Sequence, residues 1–193
     1  MRKVIFAMSV SVDGFIETAS GDINWTSPDP ELQRHVIDRE STIDTHLYGR
    51  RLYETMVPYW PTVEQSPSAP QFAIDYARVW KRQRKIVFSK TLTEVGGSCE
   101  LFRGDVREEI TKLKARPGKD MFVGGPHLAS TFMKLRLIDE YWLYVNPVIL
   151  GGGKPMFPHL GARIDLELIE TRRFGSGVVL LKLANKADAG RRP

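Results

Sequence analysis

Asp120-Met-Phe-Val-Gly-Gly-Pro-His-Leu128 is the stretch on which the reading of this chain turns. Met121–Val123 has the apolar character of a short buried strand and runs directly into Gly124 and Gly125. Pro126 then opens a segment in which Leu128, Phe132 and Leu135 recur at helical spacing. A strand that passes through two glycines into a helix leaves the first helical N–H groups bare, with no side chain over them. Those amides, at the positive end of the helix dipole, make a seat for a phosphate. A tight strand–helix turn without a ligand would have the same sequence, so the paired glycines alone leave both readings open.

Working outward, the same alternation recurs. Lys3–Val10 is a nearly continuous apolar run, the pattern of a strand buried on both faces. Pro28–Arg39 carries Leu32, Val36 and Ile37 at helical spacing, Thr45–Tyr48 is a strand closed by Gly49, and Arg50–Val57 is a helix ended by Pro58. Pro58–Pro67, with three prolines, reads as a loop. A helix over Ala69–Gln83, strands at Lys85–Phe88 and Glu100–Phe102, and a helix marked by Val106, Ile110 and Leu113 follow. After the Gly124-Gly125 unit come a strand at Tyr141–Val145, a second glycine cluster in Pro147-Val-Ile-Leu-Gly-Gly-Gly153, and two strands, Leu166–Ile169 and Val178–Leu183, about Gly175-Ser-Gly177. Strand–helix alternation predicts an α/β protein with a mostly parallel sheet, helices on both faces and a C-terminal antiparallel hairpin. Residues 1–183 read as one domain, and 184–193 as a flexible tail.

Composition narrows the function. The chain has 193 residues, 42% of them hydrophobic and 26% charged, which suits one globular domain. Cys99 is the only cysteine, so no intrachain disulfide and no cysteine metal motif can form, as expected for a cytoplasmic protein. The apolar run at the N-terminus gives way to Ser9, Ser11 and Asp13 too soon for a signal peptide, and no run reaches the roughly 18 residues of a membrane span. A net charge of +5 could serve nucleic acid, but the basic residues are dispersed, and a small polyanionic ligand suits the balance equally well. His35, His46, His127 and His159 lack zinc-site spacing, so no metal is expected.

Three strand ends carry the groups that phosphate chemistry needs. Gly124 and Gly125 would offer main-chain amides to a pyrophosphate, extended by Pro126, His127 and Leu128. Tyr48-Gly49-Arg50-Arg51 places two guanidinium groups at a helix start, where the dipole disfavours them unless an anion is bound. Phe88-Ser89-Lys90-Thr91 adds two hydroxyls and an ammonium, a set that suits a phosphate monoester. Each has a plain alternative as a solvated turn. The full G-x-G-x-x-G dinucleotide fingerprint is absent. Trp25, after a glycine-containing loop, could cap a planar ring or plug a core edge. Any reduction would need a proton source, and Asp13, Asp22, Asp29 and Glu31 are the acids on offer; Asp29 would equally cap a helix.

Ser9-Val-Ser-Val-Asp-Gly-Phe-Ile16 with Ser20-Gly-Asp-Ile-Asn-Trp25, Leu47-Tyr-Gly-Arg-Arg-Leu-Tyr-Glu54, Phe122-Val-Gly-Gly-Pro-His-Leu128, and Leu137-Ile-Asp-Glu-Tyr141 with Pro147-Val-Ile-Leu-Gly151 stand in an order that resembles the dihydrofolate reductase-like family. The resemblance is strongest to the riboflavin-biosynthesis reductase domain, the C-terminal half of bifunctional deaminase-reductases. It implies a three-layer fold about an eight-stranded sheet, NADPH as hydride donor, a small heterocyclic or ribosylated substrate and a homodimer. By matching position it implies Trp25, Gly49, Arg50, Arg51, Ser89, Gly124, Gly125, Pro126, His127 and Leu128 as cofactor-binding residues, which Lys90 joins from its place in the Ser89 turn; the acid that dihydrofolate reductase carries early in its first helix falls at Pro30, flanked by Asp29 and Glu31, the candidates for proton source. Val123 stands where that reductase has Glu, the stretch Glu54-Thr-Met-Val-Pro-Tyr-Trp60 lacks its D-x-P segment, and the deaminase half with its zinc ligands is absent. The same residues therefore leave open a nucleotide-binding protein without turnover.

Overall fold

The computed structural model describes residues 1–26 and 28–186. Ten strands, five α-helices and one 3₁₀ helix follow one another among them. Eight strands form a mixed sheet, as the alternation in the sequence led us to expect of an α/β chain, and two more form a small antiparallel sheet that it did not announce. In chain order the strands are β1 (Val4–Ser11), β2 (Phe15–Glu17), β3 (Ile43–Gly49), β4 (Arg84–Phe88), β5 (Cys99–Phe102), β6 (Asp120–Gly124), β7 (Glu140–Asn146), β8 (Lys154–Pro155), β9 (Leu166–Arg173) and β10 (Val179–Asn185). The helices are α1 (Pro30–Ser41), α2 (Arg50–Tyr59), α3 (Gln71–Arg82), α4 (Val106–Ala115) and α5 (Pro126–Lys134). The larger sheet runs β5-β4-β3-β6-β1-β7-β10-β9, and the smaller pairs β2 with β8.

The chain divides into two compact units. One comprises Met1–Val4 and Gln33–Ala129, the other Ile5–Leu32 and the residues from Ser130 onward. In the first, β3, β4, β5 and β6 are mutually parallel: β3 pairs with β4 and with β6, and β4 with β5. Tyr48, Tyr76 and Trp80 are buried together, and the partly buried Leu52, Tyr53, Met56, Val57 and Trp60 pack on them. The Trp80 indole donates to the Tyr48 hydroxyl at 2.7 Å, so the polar ends of two large core side chains satisfy each other. This core explains one departure from the sequence reading. Trp60–Gln65 is a 3₁₀ helix rather than loop, because Trp60 packs at a tilt against Tyr76, 4.4 Å between ring centroids, and Val63 is buried with Ala73 and Ala77. Pro58 is taken into the last turn of α2, and Pro61 falls at the start of the 3₁₀ turn, where a missing N–H costs little.

A buried polar cluster crosses the same unit. Glu40 is fully enclosed, and its carboxylate meets Arg39 at 2.6 Å and His46 Nε2 at 3.3 Å. His46 Nε2 also lies 2.6 Å from Gln83 Oε1, and the Gln83 amide donates to the Glu40 carbonyl at 2.7 Å. Burial pushes the Glu40 carboxyl up, but the Arg39 guanidinium and His46 override it and hold it at about 2.

In the second unit β1 pairs parallel with β7, β7 antiparallel with β10, and β10 antiparallel with β9. The hairpin expected at the C-terminal end is therefore present, with longer strands: β9 runs on to Arg173 and β10 runs through Ala184 and Asn185, two residues into the stretch read as tail. Residues 187–193 of that tail lie outside the described residues. The stretch between Asp13 and Asp22 contains β2, which is pinned to β8 at Phe15 and Glu17. Gly153 makes that approach possible, since a Cβ there would fall 2.0 Å from the Glu17 carbonyl oxygen.

Candidate functional site

The first unit brings the three phosphate-suited strand ends to one edge. β3 and β4 are in register so that Gly49 lies beside Phe88, and β3 and β6 so that Tyr48 lies beside Gly124. Arg50 and Arg51, Ser89 and Lys90, and Gly125 and Pro126 therefore leave three adjacent parallel strands at the same end. In open α/β sheets that carboxyl end is where ligands bind.

The glycines have local reasons of their own. A Cβ on Gly124 would fall 2.4 Å from Leu52 Cδ2 and 3.1 Å from the Tyr48 ring, so the first turn of α2 packs directly on the end of β6. Gly125 turns the chain with φ +85°, a conformation side chains resist, and a Cβ there would meet Leu52 Cβ at 3.3 Å. Gly49 is extended, and a Cβ on it would touch Leu128 Cβ at 3.4 Å, which brings the end of β3 against the first turn of α5. The starts of α2 and α5 thus lie side by side. Neither has an acidic residue in its first turn, and α2 has no side-chain cap. In the same unit α4 has Asp105 capping the Glu108 amide and two glutamates in its first turn. The contrast marks the α2–α5 edge as a region of uncompensated positive potential.

Side chains add to that potential. Arg51 Nη1 lies 2.9 Å from His127 Nε2, so the guanidinium donates to the imidazole and fixes His127 at the start of α5. Arg50 pairs with the exposed Glu54 at 2.7 Å, and its Nη1 donates to Thr91 Oγ1 at 3.2 Å. An exposed i,i+4 pair of this kind holds its geometry weakly. Ser89 Oγ accepts from the Thr91 and Leu92 amides at 3.2 and 3.1 Å and folds the Ser89-Lys90-Thr91 turn; Lys90 is exposed on it. Glu54 joins the site beyond the residues singled out from sequence, and Thr91, read there as one of two hydroxyls, gains Arg50 as a partner. The i,i+4 spacing of Arg50 and Glu54 was the legible signal for Glu54; the Arg50–Thr91 contact depends on β3–β4 register.

Trp25, Asp29 and Glu31 belong to the second unit. Trp25 is half-buried. Asp29 accepts from the Leu32 amide at 2.7 Å, capping α1, and from the Ser176 amide at 2.5 Å, which ties the β9–β10 turn to that cap. Glu31 pairs with Arg172 at 2.8 Å and accepts from the Gly175 amide. The Leu32 amide, joined by that of Ser176, holds the Asp29 carboxyl below its usual range, and Arg172 does the same for Glu31. Both are kept ionised and tied to the fold, the opposite of what a proton donor needs. Asp13 is likewise lowered, first by the Ser11 hydroxyl and then by the Leu150 and Gly151 amides, so it organises the second glycine cluster. Of that cluster, Gly153 is explained by the β2–β8 approach, while Cβ atoms on Gly151 and Gly152 would meet nothing within 4 Å. Among the described residues no group of His, Cys, Asp and Glu could hold a metal ion, and no helix is long and apolar enough to cross a membrane.

Architecture and site together define an α/β chain with a dihydrofolate reductase-like fold, as the solved structures that resemble it show. They include a candidate riboflavin biosynthesis protein from Shewanella sp. PV-4, with a TM-score of 0.76, 21% identity, and coverage of 95% of this chain and 99% of that one. The deaminase/5-amino-6-(5-phosphoribosylamino)uracil reductase of Thermotoga maritima matches with a TM-score of 0.65 at 18% identity over 95% of this chain and 56% of that one. Dihydrofolate reductase from Enterococcus faecalis, complexed with NADP(H), matches with a TM-score of 0.62 at 14% identity over 95% and 96%. The chain belongs to the RibD C-terminal domain family, whose model matches residues 2–180. It is similar to the uncharacterized protein YyaP of Bacillus subtilis (strain 168), at 37% identity over 182 residues, 92% of each chain.

Proposed function

We propose that this chain is an NADPH-dependent reductase acting on a small heterocyclic or ribosylated substrate. The observation that carries the reading is the alignment of three parallel strand ends, which sets two acid-free helix starts beside Arg50, Arg51, His127 and Lys90. Membership of the RibD C-terminal domain family supports the same reaction class. The amides at the start of α5, which follow directly on Gly124 and Gly125, would hold the pyrophosphate. Arg50, Arg51, Ser89 and Lys90 would hold the phosphate on the adenosine side, Arg50 by exchanging Glu54 for the ligand. The bound cofactor supplies the hydride; the chain's part is to bind, orient and exclude water.

Steady oxidation of NADPH over a panel of pterins, aminouracils and quinones tests this. Turnover with one class is the expected result, and no turnover with any of them counts against a reductase. A second reading, a nucleotide-binding protein without turnover, is favoured by one feature. The carboxyls of Asp13, Asp29 and Glu31 are all lowered by local hydrogen bonds, whereas a proton donor near neutral pH is favoured by a raised one. It expects saturable NADPH binding with no oxidation against any substrate.

A further inference from the structure

α5 ends on a residue that its position disfavours. The Leu135, Arg136 and Leu137 amides donate back to the Thr131, Met133 and Phe132 carbonyls at 3.0, 3.0 and 2.9 Å, which closes the helix in a left-handed turn. Arg136 takes that turn at φ +57°, and among the described residues it is the one non-glycine with a positive φ. Glycine or asparagine is usual there, because a larger residue's Cβ crowds the following carbonyl. Strain of this kind is kept where the side chain has a use. The Arg136 guanidinium reaches to the segment before β9, where its Nη2 donates to the Arg163 carbonyl at 2.5 Å.

That bond borders a cleft of about 590 Å³ lined by Arg136, Arg163, Asp165, Asn185 and Lys186, all in the second unit. The volume is that of a small-molecule site. Its frame is fixed by the backbone. Ala184 lies beside Glu140 and Asn185 beside Leu166, so the end of β10 meets the starts of β7 and β9. The Asn185 and Lys186 amides donate to the Asp139 and Asp165 carbonyls at 2.9 Å each. Asn185, 7% exposed, is the buried member of the lining. Three cations stand against one carboxylate, and that carboxylate is engaged by Arg163, whose Nε and Nη2 lie 2.7 and 2.6 Å from Asp165 Oδ1. Arg136 and Lys186 have no ion-pair partner among the described residues.

We propose that this cleft binds a phosphate monoester, with the phosphate dianion between Arg136, Arg163 and Lys186 and its carbon skeleton in the remaining volume. Two guanidinium forks and an ammonium match the charge and the geometry of a phosphate. The cations line one cleft rather than running along a face, which suits a small ligand over a polymer. The site lies at the amino end of β7, whereas open α/β sheets bind their ligands at the carboxyl ends, and it shares no residue with the candidate cofactor edge.

NMR titration of the intact, isotope-labelled protein with inorganic phosphate and with glycerol phosphate, at fixed ionic strength, tests the proposal. Saturable shifts of the Arg136, Arg163, Asn185 and Lys186 amides are expected with both, at lower concentration for the monoester. Arg136→Gly should weaken binding about tenfold or more while raising the melting temperature of the ligand-free protein by about 2–4 °C, since glycine suits the left-handed turn. Lys186→Glu, on an exposed side chain, should weaken binding by a similar factor without unfolding the chain. The Arg50→Ala/Arg51→Ala variant should bind both anions as the parent does, so the outcome is independent of whether the chain is a reductase. Shifts that do not saturate, saturable shifts confined to residues about Arg50 and Gly125, or an affinity indifferent to both Arg136→Gly and Lys186→Glu overturns the proposal. A response to inorganic phosphate alone makes the occupant a free anion and overturns it too.

Discussion

Gly124 is small because Leu52 fills the space beside it, and this links sequence to site at the scale of one atom. A methyl group there would press on Leu52 Cδ2 at 2.4 Å and on the Tyr48 ring at 3.1 Å. Gly124→Ala is expected to lower stability by about 1–3 kcal/mol, the usual cost of overpacking. Combined with Leu52→Ala, the loss should fall well short of the sum of the two single losses, because the double variant makes room. Strict additivity in urea unfolding would show that the two do not touch. Glu40 offers a second test. Its folded pKa, about 2, lies below the ordinary 4.5, so the unfolded chain binds the extra proton in acid. The stabilisation is complete above about pH 4.5 and is lost as pH falls towards 2, with a full value of about 3 kcal/mol. Glu40→Gln should therefore be less stable at neutral pH, with a gap that closes as the solution is acidified. Parallel stability curves would contradict this. At this scale the sequence was legible in part. Gly124-Gly125 stands out in the chain, and Asp29 is recognisable as a helix cap, but nothing in a linear string reveals that Leu52 is the neighbour that requires Gly124, or that Asp29 also holds the Ser176 amide.

α2 and α5 begin side by side with no acid in either first turn, and Arg51 stands at one of these starts facing His127 on the other. A cation at a helix N-terminus opposes the dipole, by about 0.3–1 kcal/mol when exposed. Arg51→Glu should consequently leave the ligand-free protein as stable as before or slightly more stable, while weakening NADPH binding by more than tenfold. Thermal unfolding and a binding titration on the same sample check both halves. Lost stability with unchanged affinity would make Arg51 a structural residue. The helices and long strands were readable because their apolar positions repeat at 3.6 or 2 residues. The 3₁₀ helix was not, because three prolines outweigh one buried valine in a linear reading, and the decisive contact is Trp60 on Tyr76. β2 and β8 escaped for another reason: strands of three and two residues carry no period, and only Gly153 against the Glu17 carbonyl brings them together.

For the whole molecule, alternation of strand and helix was enough to expect a mostly parallel α/β sheet with a terminal hairpin, and the order of the motifs was enough to expect the family. The order of strands was not, since β3 lies between β4 and β6 although α4 and β5 intervene in sequence. That order creates the candidate site, because it sets Gly49, Phe88 and Gly124 at one edge. The central claim is that this edge grips a dinucleotide phosphate. Calorimetric titration of the intact protein with NADPH, beside an Arg50→Ala/Arg51→Ala variant, tests it most directly. One equivalent bound per chain, with affinity at least tenfold weaker in the variant, is the expected result; no binding by the parent, or equal affinity in a folded variant, would contradict it.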